Sequence, residues 1–214
     1  MPDLSSGILM TLYLGLTGGI ATGKSAASNY FINQGVPVVD TDKIAHELMK
    51  PGKRNYQGIV EYFGKGILNQ DLSINRKVLG QIVFNEAEQL AALNAITHPG
   101  IRDETMLQMQ HYHEMGYRIC VVDVPLLFEA GLEEIVDKTL VIYTTPELEL
   151  ERLMQRDHLN SSAALERIHS QMPLIQKVKK ADYAIENTGT IDELEQNLSN
   201  LLDELRKVEE DGMS

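Results

Sequence analysis

One segment, Gly18–Ser25, constrains the fold of this chain more than any other feature. Its sequence GGIATGKS matches the pattern G-x-x-x-x-G-K-[ST], follows a short apolar run and precedes a helix-like segment at 26–34. Glycines let the backbone wrap closely around an anion, and amides at the start of the helix then point at it. The segment predicts a phosphate-binding loop in which Lys24 bridges the outer phosphates and the Ser25 hydroxyl binds Mg²⁺. An ordinary glycine-rich turn is the alternative.

Five short apolar runs alternate with helix-like segments along the chain. They lie at residues 12–16, 36–39, 119–122, 139–143 and 183–185. Buried runs of this length, separated by helical segments, are typical of parallel strands joined by crossover helices. The pattern predicts an α/β fold whose ligands bind at the carboxyl ends of the strands, where the glycine-rich segment also lies.

The second and third runs are separated by residues 44–117, more than one crossover helix requires. Helical patterns within them predict a mostly helical insertion, in which His98-Pro99-Gly100 marks a helix stop and restart. Residues 147–180 form a second helical stretch. The leucines of 190–208 are spaced as in an amphipathic helix.

Composition excludes several classes of protein. The net charge of −12 disfavours a general nucleic-acid surface, which needs a basic footprint. No apolar run approaches the length of a membrane-spanning helix, and the first ten residues lack the pattern of a signal peptide. The single cysteine, Cys120, lies in an apolar run, which predicts a buried thiol in a reducing compartment.

Acidic residues follow two of the predicted strands. Asp42, and to a lesser degree Asp40, could orient an acceptor hydroxyl and take its proton, although Asp-Thr-Asp is also a good helix N-cap. Asp123 ends the third run. This is the position of an acid that binds Mg²⁺ directly or through water. The chain has no Asn-Lys-x-Asp motif, and this argues against a GTPase.

The cations of this acidic chain concentrate in the second helical stretch. Arg152 and Arg156 are spaced i, i+4 on one helix face, and Arg167, Lys177, Lys179 and Lys180 follow. Fixed guanidinium groups can neutralise a transferring phosphoryl group. The alternative is a solvated helix whose arginines pair with Glu149 and Glu151. Spacing alone does not decide whether Arg102 meets an anionic substrate, and the six histidines form no metal-ligand pattern.

Taken in order, the motifs resemble those of the dephospho-CoA kinase family from about Leu12 to Leu202. They are GLTGGIATGKS (15–25), GVPVVDTD (35–42), YFG (62–64), INRKVLGQIVF (74–84), THPGIR (97–102), VVDVPLLFE (121–129), LERLMQRD (150–157) and ADYAIENTG (181–189). The H-P-x-I and D-x-P-L-L-F-E segments in this order are specific to the family. Leu72 stands where a turn glycine is common, and the first nine residues have no family counterpart.

The resemblance implies a P-loop kinase fold of three α/β/α layers, with five parallel strands in the order 2-3-1-4-5. It implies ATP-dependent phosphorylation of the ribose 3′-hydroxyl of dephospho-CoA with Mg²⁺, the last step of coenzyme A synthesis. The expected organisation is an N-terminal extension at 1–10, a nucleotide-binding core at 11–43 and 118–205 with a lid at about 147–180, a helical substrate insertion at 44–117, and an acidic tail at 206–214.

Site residues are predicted on the same basis. The predicted catalytic residues are Asp42, Lys24, Arg152 and Arg156. The predicted ATP-binding residues are Gly18, Gly19, Ile20, Ala21, Thr22, Gly23, Lys24, Ser25, Ala26 and Asn187. The predicted substrate-binding residues are Asp40, Asp42, His98, Arg102 and Leu126. The predicted Mg²⁺ ligands are Ser25 and Asp123.

The expected partners are ATP and dephospho-CoA, without nucleic acid or membrane, in a cytoplasmic monomer or small homo-oligomer. One rival is another small-molecule P-loop kinase, such as a nucleoside monophosphate or shikimate kinase. The other is a regulator that binds ATP and signals without turnover. Asp42, Arg152 and Arg156 argue against the regulator, because a sensor needs no acid to orient an acceptor.

Overall fold

The computed structural model describes residues 10–211. Residues 1–9 of the predicted N-terminal extension and 212–214 of the predicted acidic tail lie outside the described residues. Contacts divide the chain into two compact units. The first contains the described residues up to Val39 and from Met109 onward, and the second is Asp40–Gln108.

A five-stranded parallel sheet forms the centre of the first unit. Its strands are β1 (Leu12–Gly18), β2 (Val38–Asp40), β3 (Ile119–Asp123), β4 (Lys138–Tyr143) and β5 (Tyr183–Glu186). The spatial order is β2-β3-β1-β4-β5, and β1 pairs in parallel with both β3 and β4. The predicted α/β class and the order 2-3-1-4-5 are therefore confirmed.

The strands form because their apolar runs can be buried continuously. All five residues of β3 are buried, as a strand covered on both faces requires. Leu14 and Leu140 of the sheet belong to one hydrophobic cluster with Phe31 of α1 (Lys24–Asn33) and Leu198 of α9 (Ile191–Asp211). Each fully buried side chain of this size contributes about 1.5–3 kcal/mol relative to exposure.

The C-terminal helix α9 shows how local signals and packing agree. Thr190 Oγ1 accepts a hydrogen bond from the Glu193 amide at 3.2 Å, and Glu193 Oε2 accepts one from the Thr190 amide at 2.7 Å. This reciprocal pair is a capping box. The predicted leucine stripe is buried throughout, at Leu194, Leu198, Leu201, Leu202 and Leu205.

Three further helices follow β4 in the first unit. They are α6 (Pro146–Asp157), α7 (Ser161–His169) and α8 (Leu174–Lys180). Thr145 caps α6 by accepting from the Leu148 amide, and Asn160 caps α7 by accepting from the Ala163 amide. These helices occupy the stretch predicted as a lid, and that role stays a prediction.

The second unit is helical and has its own core. It contains α2 (Thr41–Leu48), α3 (Arg54–Phe63), α4 (Arg76–Asn85) and most of α5 (Ala87–Glu114). Its buried cluster is formed by Ile59, Ile67, Ile74 and Leu79. Leu72 lies in a turn of this unit with φ +66°, in the left-handed region that favours glycine. The departure from the family pattern thus carries backbone strain, and the side chain is exposed.

The predicted helix stop at His98-Pro99-Gly100 is wrong, because α5 continues through Pro99. Proline removes one backbone donor and usually breaks or kinks a helix. Asn55 of α3 packs against the helix at this point. Its side-chain amide donates to the Thr97 carbonyl at 3.2 Å, and a side chain at Gly100 would begin 2.5 Å from Asn55 Oδ1. Tertiary packing therefore overrides the local signal.

The single cysteine lies in the core. Cys120 is fully buried, as predicted, and burial raises the pKa of its thiol to about 12. Within residues 10–211, no helix combines the length and the apolar character needed to cross a bilayer.

Candidate functional site

The loop between β1 and α1 has the geometry of an anion cradle. Residues 18–25 leave β1 at Gly18 and enter α1 at Lys24. Gly23 has φ +101°, and Asn187 packs so closely that a side chain at Gly23 would begin 2.2 Å from its Nδ2 atom. Glycine is therefore required at this position for both conformation and space. The N-terminus of α1 directs amides and the positive end of the helix dipole toward the loop.

Lys24 and Asp123 form an ion pair at the carboxyl ends of two adjacent strands. Lys24 Nζ donates to Asp123 Oδ1, and both side chains are largely buried. The register of β1 and β3 places Leu16 opposite Asp123. The structure therefore brings together the cation predicted to meet the outer phosphates and the acid predicted to hold Mg²⁺.

Asn187 connects the loop to β4 and to α6. Its side-chain amide donates to the Thr22 carbonyl at 2.8 Å, and its backbone amide donates to the Tyr143 carbonyl at 2.7 Å. The Asn187 carbonyl accepts a hydrogen bond from Arg152 at 2.8 Å. Two predicted site residues, Asn187 and Arg152, are thus in direct contact with each other beside the loop.

The exposed arginines of the predicted lid share one carboxylate. Arg156 and Arg167 both pair with Asp157, at 2.8 and 2.6 Å. The hydrogen bond from Arg156 holds the pKa of Asp157 below its ordinary value. The partners proposed for the alternative interpretation, Glu149 and Glu151, are therefore not the ones that Arg156 uses. Arg152 and Arg156 do lie on one helix, α6, with the predicted spacing.

Lys177, named in the sequence analysis only as one cation of the basic stretch, lies in an environment unlike that of Lys179 or Lys180. Its side chain is fully buried and pairs with Glu129 at 2.8 Å. Its ammonium group also donates to the Gly18 carbonyl at the start of the loop, at 3.2 Å. In the sequence, Glu129 directly follows the apolar residues 125–128. An acid at the end of such a run was the one signal that a buried cation was needed.

Glu149 is a buried acid that sequence reasoning missed as a site residue. It lies in the first turn of α6 with 5% of its surface exposed. Burial raises the pKa of its carboxyl group, while the nearby Lys177 and a hydrogen bond from the Ile20 amide oppose that rise. A side chain at Gly19 would begin 2.3 Å from Glu149 Oε1. The carboxyl group therefore packs directly against the loop.

Four predicted site residues lie in the second unit. Asp40 caps α2 by accepting from the Lys43 amide at 3.0 Å, and Asp42 lies exposed in the first turn of the same helix. His98 and Arg102 are exposed on α5, four residues apart. Leu126 belongs to the first unit and is 42% exposed. Contact of these residues with substrate stays a prediction.

The described residues contain no cluster of three or more histidine, cysteine or acidic side chains that could hold a metal ion. Mg²⁺ does not need one, because it keeps water and phosphate oxygens as ligands and uses one or two protein oxygens. The Asp123 carboxylate and the exposed Ser25 hydroxyl, at the start of α1, offer hard oxygen donors of this kind. The residues present therefore fit this ion.

Comparison with known proteins gives one consistent family. A dephospho-CoA kinase (CoaE) family model matches residues 12–193. The dephospho-CoA kinase of Lactobacillus johnsonii is 48% identical over 92% of this chain and 99% of that relative. That of Bacillus licheniformis is 46% identical over 94% of this chain and 100% of its own length.

Solved structures agree with the sequence relatives. Dephospho-CoA kinase from Campylobacter jejuni has a TM-score of 0.71 and 37% identity, and the match covers 92% of this chain and 98% of that one. The TT1252 protein from Thermus thermophilus has a TM-score of 0.77 and 31% identity, with 91% and 98% covered. With the family model matching most of the chain and the relatives covered almost completely, the chain belongs to the dephospho-CoA kinase family.

Proposed function

We propose that this chain transfers the γ-phosphoryl group of ATP to the ribose 3′-hydroxyl of dephospho-CoA, giving coenzyme A and ADP. The family match over residues 12–193 carries the proposal. The loop geometry supports it, because Lys24 and Asp123 meet beside an anion cradle at the carboxyl edge of the sheet. We further propose that the protein acts in the cytoplasm without a nucleic-acid partner, which its net charge of −12 favours.

On the nucleotide side, the protein positions and neutralises charge rather than reacting covalently. Amides of the loop and of α1 bind the β- and γ-phosphates, and Lys24 turns from Asp123 toward them. Asp123 and Ser25 would hold Mg²⁺, which supplies charge neutralisation across the phosphates when bound. The contact of Asn187 with Thr22 and Arg152 keeps the loop in a shape ready for the ligand.

On the acceptor side, Asp42 orients the hydroxyl and receives its proton late in the transfer. Its exposed position in the first turn of α2 suits a group that must reach a substrate. Asp40 supports it by capping the same helix. His98, Arg102 and Leu126 bind the remainder of the acceptor, and closure of a lid formed by 147–180 brings Arg152 and Arg156 to the transferring group.

The test combines the reaction and the site in one assay. Purified protein is incubated with ATP, Mg²⁺ and dephospho-CoA, and ADP and coenzyme A are followed by mass spectrometry. Asp42→Asn should lower turnover by about 10²–10⁴-fold, and Lys24→Ala should lower it by a similar order. Asp192→Asn is the matched control, because Asp192 is likewise exposed in the first turn of a helix, α9.

The outcomes separate the rival functions. Coenzyme A from the wild type and the control, but not from the two site variants, supports both reaction and site. ADP without coenzyme A would indicate a P-loop kinase with another acceptor. Neither product would favour a nucleotide-binding regulator.

A further inference from the structure

The most unusual side chain beside the loop is a fully buried lysine. Lys177 of α8 has 0% of its surface exposed. Its ammonium group has three N–H donors, and three acceptors surround it. They are Glu129 Oε1 at 2.8 Å, the Gly18 carbonyl at 3.2 Å and the Pro125 carbonyl at 3.4 Å. Burying an ammonium group is costly even when it is paired, and an apolar side chain could fill the space, so stability alone does not explain the lysine.

The two carbonyl acceptors belong to the segments that carry the nucleotide site. Gly18 ends β1 and begins the phosphate-binding loop. Pro125 lies two residues beyond Asp123, and its carbonyl also accepts a hydrogen bond from the Thr17 hydroxyl at 3.0 Å. Through Lys177 the start of the loop and the segment after β3 are held to a single group. Lys24 follows the same loop, and Asp123 lies in the same segment as Pro125, so both partners of the ion pair are close in sequence to these contacts.

The charges around the Lys177 ammonium group also indicate a role at the phosphate-binding loop. Glu129 and Glu149 both lie near the Lys177 ammonium group, and Glu149 accepts a hydrogen bond from the Ile20 amide of the loop. Without the lysine, two carboxyl groups would stand beside a cradle that must accept the phosphates of ATP. A negative charge beside the cradle opposes the binding of an anion.

We propose that Lys177 is a positioning residue for phosphoryl transfer, which ties the phosphate-binding loop to the segment after Asp123 and cancels the carboxylate charge beside it. This rests on the ATP-dependent reaction proposed above. The ammonium group of Lys177 is buried against Glu129 and the Gly18 and Pro125 carbonyls, and it acts through these two carbonyls. Because α8 lies in the stretch 147–180, the same contact also connects the predicted lid segment to the loop.

The test separates positioning from simple stability. Lys177→Met removes the charge and the three donors, and it leaves Glu129 near the loop without its cation. The double variant Lys177→Met/Glu129→Gln removes both members of the pair. Lys179→Met, exposed on the same helix, is the matched control. For each variant, calorimetric titration gives the Kd for ATP with Mg²⁺, thermal unfolding gives Tm, and steady-state kinetics give KM for dephospho-CoA.

We expect Lys177→Met to lose both stability and ATP affinity. The double variant should regain part of the lost Tm, because Glu129 no longer stands as a charge without its cation, whereas Glu149 still lacks the cation near it. Its Kd for ATP should stay raised by about 10-fold to about 100-fold. KM for dephospho-CoA should change by less than about 3-fold, since the acceptor site is not repositioned. Lys179→Met should match the wild type in all three measurements.

Three results would overturn the proposal. They are wild-type ATP affinity in Lys177→Met, recovery of ATP affinity together with Tm in the double variant, and a double variant as unstable as the single one. If Lys177→Met does not fold, the Kd for ATP of the double variant tests the proposal. Because ATP binding does not depend on the acceptor, wild-type protein that binds ATP but makes no coenzyme A would refute the proposed reaction and leave this comparison intact.

Discussion

Replacing Gly23 by alanine should lower the free energy of unfolding by about 2–3 kcal/mol. Gly23 has φ +101° and ψ +13°, and an L-residue held in left-handed backbone costs about 1–2 kcal/mol. The new Cβ would also begin 2.2 Å from Asn187 Nδ2. Asn187 must therefore move and release the Thr22 carbonyl, which costs about 1 kcal/mol more.

A matched glycine separates the two contributions. Gly35 has φ +75°, and among the described residues no neighbouring heavy atom lies within 4 Å of its expected Cβ. Gly35→Ala should therefore cost only the backbone penalty of about 1–2 kcal/mol. Adding Gly23→Ala to an Asn187→Ala background should also cost about 1 kcal/mol less than in the wild type, because the obstructing amide is gone.

Urea unfolding with linear extrapolation measures all of these variants on one scale. Their m values should equal that of the wild type, so that shifts in midpoint report stability. Equal costs for Gly23→Ala and Gly35→Ala would refute the steric argument. Strict additivity of Gly23→Ala and Asn187→Ala would refute the contact between them.

Two further predictions concern titratable groups. Burial alone would raise the pKa of Asp182, but hydrogen bonds from Thr139 and Lys138 outweigh it and leave the pKa below its ordinary value. Asp182 therefore stabilises the fold above about pH 4 and loses this effect as pH falls through its folded pKa. Because the Asp182 side chain is 39% exposed and solvent screens its charge, Asp182→Ala should cost only about 1 kcal/mol at pH 7 and less at pH 3, as measured by urea unfolding. Cys120, whose pKa is about 12 because of burial, should react with a thiol reagent only in denaturant, which adduct mass spectrometry checks.

The sheet was predictable because burial leaves a direct trace in the sequence. A strand covered on both faces must be apolar throughout, and β3 appears in the sequence as a continuous apolar run that ends at Asp123. The phosphate-binding loop was predictable for a related reason. Its glycines meet local requirements of conformation and space that no other residue satisfies, as Gly23 shows.

The continuous helix α5 could not be predicted, because the contacts that preserve it come from another helix. Proline and glycine are adjacent at 99 and 100, and a local interpretation stops the helix there. Asn55, distant in sequence, fits against Gly100 and donates to the Thr97 carbonyl. This packing of α3 on α5 leaves no trace in the local sequence around Pro99.

The charge of the site shows what a count of cations in the sequence leaves out. In a chain of net charge −12, the sequence analysis finds the cations concentrated in one helical stretch, whose arginines can neutralise a transferring phosphoryl group. The structure pairs Lys24 with Asp123 and Lys177 with Glu129, so that these cations are already balanced before a ligand arrives. The positive potential of the loop then comes chiefly from backbone amides and from the N-terminal end of α1. An amino-acid composition contains no information about these backbone groups. In the proposal made above, Lys177 keeps that backbone in shape, so its removal should weaken ATP binding through the lost contacts with the Gly18 and Pro125 carbonyls.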